Sequence, residues 1–176
     1  MKQQLSFYII VGILCLGFLG CDKNDNQNKN DGVIEFYLLD TFAKIDNSCQ
    51  IDETTVITES SPLVYYSDIL TYDSADYTFE LSDRAIDAIE NLEHSVIGLA
   101  FAVKANNILI YTGYFWPSYS SASCDWIVMD PTMLGIGNKI QVRLGYPGLI
   151  QGQIIPDKRN DKRIINILES DNKLKK

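Results

Sequence analysis

The chain has 176 residues, with 23 acidic side chains against 15 basic ones and a formal net charge of −8. At 46% hydrophobic and 22% charged residues, the composition is that of a folded protein and excludes a wholly disordered chain. The acidic balance argues against nucleic acid, whose phosphates demand clustered Lys and Arg, and a single histidine excludes any site built on two.

Residues 1–20 read as a secretory signal: Lys2 as the positive start, an apolar run from Leu5 to Leu19, then the small Gly20. The run is short for a span, which needs about 20 apolar residues. At Phe18-Leu19-Gly20-Cys21 the segment resembles the lipobox of bacterial lipoproteins. In that family the signal is removed just before the cysteine, whose sulfur is acylated and whose new N-terminus is lipidated. The family has Leu three places before the cysteine and a small residue two before, where this chain has Phe18 and Leu19. The resemblance implies a lipid, palmitate-type chains included, on Cys21, and a lipid-anchored protein of the bacterial cell envelope with its domain outside the cytoplasm. An ordinary cysteine behind a conventional signal is the alternative.

Residues 21–31 carry the lipidated cysteine and a polar tether. From Asp22 to Asp31 there is no apolar side chain, so ordering cannot be offset by burial. As a coil the segment reaches about 17 Å. Asp22, Asn24 and Asn26 mimic the start of an EF-hand loop, but Gln27 stands where glycine is required and Val33 where a bidentate glutamate is required. Residues 32–176 remain as one domain, about 145 residues long and able to build a core.

Of the four cysteines, Cys15 leaves with the signal and Cys21 takes the lipid, so Cys49 and Cys124 are left in an oxidising compartment. A disulfide between them would close a long loop and contribute about 4.5 kcal/mol in the chain-entropy model. Two separate buried thiols are a second reading, and a catalytic thiol, which would need His94 close by, is a third.

Along the domain, strands are expected at 33–39, 50–58, 77–81, 99–104, 108–116, 126–129 and 139–144, with 62–72 extended. Ser82 is placed as the N-cap of a helix whose stripe is Ala85, Ile86, Ile89 and Leu92, with the charged residues opposite. Asn106-Asn107 reads as a two-residue hairpin turn, which sets Val103 against Ile110, Ala102 against Tyr111 and Ala100 against Gly113. One face of that hairpin is then small, and the Ser82 helix is expected to lie on it. A last helix capped by Asn160 or Asp161 runs through Ser170. The expected class is α+β: a single antiparallel-rich sheet packed with one or two helices. From Tyr77 through the hairpin, the order of strand, helix and two strands resembles the periplasmic head of Sec-translocon accessory proteins. That resemblance covers about forty residues, has no functional motif, and implies a ferredoxin-like or related layered sheet.

Chemistry is sparse. There is no Cys/His spacing for zinc, no G-x-S-x-G and no Gly-rich phosphate loop in the sequence. His94, between Glu93 and Ser95, would be the sole base for any serine hydrolase. A carboxylate pair for glycoside hydrolysis is possible in so acidic a chain, but nothing singles one out. No cofactor is expected. The richest stretch runs from Tyr111 to Trp126, with Tyr114, Trp116, Tyr119 and Trp126 among serines and Asp125. Rings beside hydroxyls suit sugar or peptide recognition, whereas Tyr114, Trp116 and Trp126 also continue apolar strand faces and so suit a core. Lys158, Arg159, Lys162 and Arg163 are a candidate basic patch, interrupted by Asp157 and Asp161. The expected function is a non-enzymatic binding or accessory domain for a protein partner or a glycan, held to a membrane by its lipid. A carboxylate-dependent hydrolase of envelope polymers is the alternative.

Overall fold

A computed structural model describes residues 32–176. The expected signal peptide, Cys21 and the segment read as a tether lie outside the described residues.

Eleven regular elements follow the chain: β1 (Ile34–Lys44), β2 (Ile51–Thr58), β3 (Ile69–Asp73), β4 (Thr78–Leu81), α1 (Asp83–Glu90), β5 (Leu99–Ala105), β6 (Ile108–Phe115), β7 (Cys124–Met129), β8 (Lys139–Tyr146), α2 (Lys162–Ser170) and β9 (Leu174–Lys175). Two 3-10 segments, Tyr66–Asp68 and Pro131–Ile136, precede β3 and β8. The architecture is mostly sheet with a few helices, its strands in the order β2-β1-β5-β6-β7-β8-β4-β3-β9. The sheet is mixed in direction: β6 runs parallel to β7, and β3 to β9. The antiparallel-rich expectation is met in part, and β6–β7 is the unusual departure from it. Parallel neighbours normally need a crossover of about a dozen residues or more, and here only residues 116–123 intervene. The ferredoxin-like order is not formed either, because β4 and β5, on either side of α1, are separated by β6, β7 and β8.

Local chemistry accounts for the elements that position the surfaces described below. Ser82 caps α1 by accepting from the Ala85 amide, and Asp161 caps α2 by accepting from the Arg163 amide at 2.9 Å. Asp68, buried beneath α1, accepts from Ser82 Oγ, the Tyr65 amide and the Arg84 guanidinium. Asn106 and Asn107 both adopt the left-handed conformation, at φ 50° and 64°, and form the two-residue turn between β5 and β6.

That turn has the expected residues but a different register beyond it. Ala105 opposes Ile108 and Lys104 opposes Leu109; a bulge then shifts the ladder, so Val103 pairs with Tyr111, Ala102 with Thr112, Phe101 with Gly113 and Ala100 with Tyr114. Gly113 therefore lies under the Phe101 ring, not beside the alanines. The small residues Ala100 and Ala102 share their face with Thr112 and Tyr114. The Ser82 helix does not cover that face; α1 meets the two 3-10 segments instead. The cover is β1–β2. The first half of β1 pairs with β5 and its second half with β2, which swings the hairpin across the sheet, with Phe42 edge-on to Tyr114 and Glu53 against Thr112. The other face carries the main aromatic core, where Tyr72, Phe79, Phe36, Phe101 and Phe115 touch in that order.

Candidate functional site

The disulfide is formed. Cys49 and Cys124 have Cα atoms 5.7 Å apart, within the span a disulfide requires. It pins the tip of the β1–β2 hairpin to the first residue of β7, and the Asp125 carboxylate reinforces the junction by accepting from Ser48 Oγ and the Cys49 amide, each at 2.8 Å. Asp125 is thus occupied within the fold.

The β1–β2 hairpin covers part of the aromatic stretch, with Phe42 against Tyr114 and Glu53 against Thr112. Tyr114, Trp116 and Trp126 are all buried. Tyr114 stands edge-on to Trp116, Lys44 lies over the Tyr114 ring, and Trp126 Nε1 donates to Thr112 Oγ1 at 3.0 Å. Burial pushes the Tyr114 hydroxyl above its ordinary pKa. Tyr119 is the ring of this stretch that faces solvent, at 62% exposure.

Tyr119 belongs to a crown of loops at one end of the sheet. β6 and β7 both run towards that end, β5 and β8 start from it, and the loops 91–98, 116–123 and 130–138 meet there. Ser120 Oγ donates to the Val96 carbonyl at 2.5 Å, Ser118 Oγ bonds Thr132 Oγ1 at 2.8 Å, and Tyr146 Oη donates to the Ser118 carbonyl at 2.7 Å. On this cross-braced base Val96, Ile97, Tyr119 and Ile136 are exposed, Ile136 by 82%. The chain enters the domain at the opposite end, where the Val33 amide donates to Asn106 Oδ1 and Ile34 opposes Ala105.

A cleft of about 390 Å³ lies on the outer face of β4 and β8, lined by Asp76, Thr78, Asp130, Met133, Lys139, Gln141 and Arg143. Reading the sequence for motifs misses it. The available signal is the alternation Lys139-Ile140-Gln141-Val142-Arg143, which buries Ile140 and Val142 and turns the three polar residues outward. Beside the cleft, the Glu80 carboxyl is held down to about 2 by the Lys175 ammonium, the Thr71 hydroxyl and the Asn138 amide.

Two other candidates are absorbed by the fold. Within the basic segment, Lys158 pairs with Glu53, Arg159 with Asp157 and Arg163 with Asp161. His94 packs on Phe115 and places Nε2 at 2.9 Å from the Ile89 carbonyl, so that nitrogen carries the proton and closes the end of α1. Among the described residues no cluster of three or more His, Cys, Asp or Glu is placed to hold a metal, and no helix is long and apolar enough to cross a membrane. No protein family, curated protein or solved structure was found to match the chain.

Proposed function

We propose that the protein is a lipid-anchored lipoprotein of the bacterial cell envelope, and that its domain is a non-enzymatic binding or accessory module whose partner is a protein met at the crown of loops. The observation that carries this reading is polarity of placement. The chain enters beside Asn106, while Val96, Ile97, Tyr119 and Ile136 are presented at the far end of β5, about 20 Å away for a seven-residue strand. An anchor attached at Cys21 would leave that end pointing away from the lipid. The exposed side chains are apolar and aromatic on a cross-braced base, the composition of an interface centre. The disulfide fits an oxidising compartment. The acid pair that the β4–β8 cleft offers to a carboxylate-dependent hydrolase is Asp76 and Asp130, and Asp130 already spends one oxygen on three protein donors.

Two measurements test the reading in cells making the full chain. Metabolic labelling with palmitate should mark the protein and be lost in Cys21→Ala. A photo-crosslinking residue at position 136 should give a discrete adduct that the same residue at the exposed position 108, at the tether end, does not. Labelling that survives Cys21→Ala removes the anchor, and identical adduct patterns from 136 and 108 remove the crown.

A further inference from the structure

The β4–β8 cleft has a donor and acceptor pattern that names a ligand class, and it occupies a different surface from the crown. Its floor is the outer face of β8, where Lys139, Gln141 and Arg143 recur at every second residue, with Thr78 directly across from Gln141 on β4. One wall is Asp130 and Met133, at and just after the end of β7; the other is Asp76, in the turn between β3 and β4.

The two floor cations are uncompensated. Lys139 and Arg143 form no ion pair among the described residues. The cross-strand neighbour of Lys139 is Glu80, but that carboxylate is engaged by Lys175 at 2.8 Å, Thr71 at 2.9 Å and Asn138 at 3.2 Å. Arg143 spends one N–H on the Pro147 carbonyl at 2.6 Å and keeps the rest of its fork. The walls are the reverse. Asp130 is more than nine-tenths buried and its Oδ1 takes the Ser118 amide, the Thr132 amide and the Thr132 hydroxyl, leaving Oδ2 with no protein donor. The Asp76 carbonyl accepts from Gln141, and its carboxylate has no donor among the described residues.

We propose that this cleft binds a sugar bearing an anionic group, with the carboxylate or phosphate on Lys139 and Arg143 and the ring hydroxyls donating to Asp130 Oδ2 and Asp76. A neutral sugar would leave both cations unanswered. A bare anion would face two carboxylates with nothing to donate to them. A ligand that joins an anion to several hydroxyl donors meets both sets of groups. The volume, about 390 Å³, falls within the range of about 300 to 1,000 Å³ usual for small-molecule sites.

The test is calorimetric titration of the full-length chain in detergent micelles with D-glucuronate, D-glucose 6-phosphate, D-glucose, acetate and inorganic phosphate. Saturable binding of glucuronate or glucose 6-phosphate is expected, with glucose and the bare anions weaker by about tenfold or more, as the loss of one charge-assisted bond or of the hydroxyl set requires. Preference between the two acidic sugars identifies the anion. Lys139→Gln/Arg143→Gln should weaken the favoured sugar by about tenfold or more at an unchanged melting temperature, and Gln141→Ala should weaken it less. Absence of saturable binding by either acidic sugar up to about 10 mM, equal binding of glucose or a bare anion, or undiminished binding by the double variant would overturn the proposal. None of these results bears on crosslinking at position 136, so the two proposals fail separately.

Discussion

Glu53 offers the sharpest test of how the β1–β2 hairpin is held to the sheet. The parallel ladder between β6 and β7 is in register only at Tyr114 with Val128 and Phe115 with Met129. The amide of Thr112, which is 0% exposed, precedes that register, and its partner is Glu53 Oε1 at 2.9 Å. The same carboxylate meets Lys158 at 2.5 Å. Glu53→Ala removes the acceptor and orphans a buried N–H, costing about 1–3 kcal/mol. Loss of the partly exposed ion pair adds about 0.5 kcal/mol. Glu53→Gln keeps a carbonyl acceptor for Thr112 and should cost about 1 kcal/mol or less. Urea unfolding of the full-length variants followed by circular dichroism reads the difference as a midpoint shift, with Glu53→Ala lower by about 1 M and Glu53→Gln by a fraction of that. If the glutamine variant is as unstable as the alanine variant, the ion pair and not the amide is what matters, and the account of the hairpin is wrong.

Four further outcomes are expected. Replacing both disulfide cysteines (Cys49→Ala/Cys124→Ala) should cost up to about 4.5 kcal/mol by loop length, seen as a fall in melting temperature of roughly 10 °C or more; a fall of a degree or two would mean that the hydrogen bonds around Asp125 suffice. A Cβ on Gly113 would sit 2.7 Å from the Phe101 ring and 2.8 Å from the Ile127 carbonyl oxygen, so Gly113→Ala should destabilise by about 1–3 kcal/mol in the same urea assay. Trp116 and Trp126 are both buried, so their emission should be blue-shifted and poorly quenched by acrylamide; ready quenching in the folded state would contradict the packing. Glu80 titrates near 2 in the fold against an ordinary 4.5, so its contribution is complete above about pH 4.5 and is lost as pH falls towards 2. After solvent screening that contribution is about 1 kcal/mol, and Glu80→Gln should flatten this part of the stability curve, measured by urea midpoints from pH 5 to 2.

Local signals were legible wherever one residue type has one strong use. Ser82 caps its helix and the asparagine pair turns its hairpin because each chemistry acts over three or four residues. The register failed at the third pair beyond the turn. A bulge leaves no mark in a stretch such as Ile108-Leu109-Ile110, where every side chain is apolar and a slip costs nothing in pattern. The parallel pairing of β6 and β7 was invisible for a related reason, since a short connection normally signals a hairpin. The two readings of the aromatic stretch turned on distant chain: Tyr114 is covered by Phe42 of β1 and Trp116 packs on Tyr146 of β8, and neither neighbour is encoded near residues 114 to 116. The cleft was half legible. The Lys139-Gln141-Arg143 alternation is in the sequence and Asp130 lies only one loop before it, but Asp76 arrives from a turn far away in the chain, and only the pairing of β4 with β8 brings it to the other side.

The route by which the chain enters the sheet also fixes how the domain would bear a mechanical load. A pull at Gly32 reaches β1 first, and Ile34 to Leu38 are laddered to β5 across five consecutive pairs, which are loaded together in shear when the pull follows the strand. Were that ladder to give way, β1 could peel only as far as Cys49, because the covalent link to Cys124 stops it there. The slack released is then the chain from 32 to 49, at most about 60 Å when fully drawn out. The crosslink acts as a stop on the leash: a yielding first strand lengthens the connection to the proposed anchor by a bounded amount, after which the load passes through the disulfide to Cys124 at the start of β7, in the middle of the sheet.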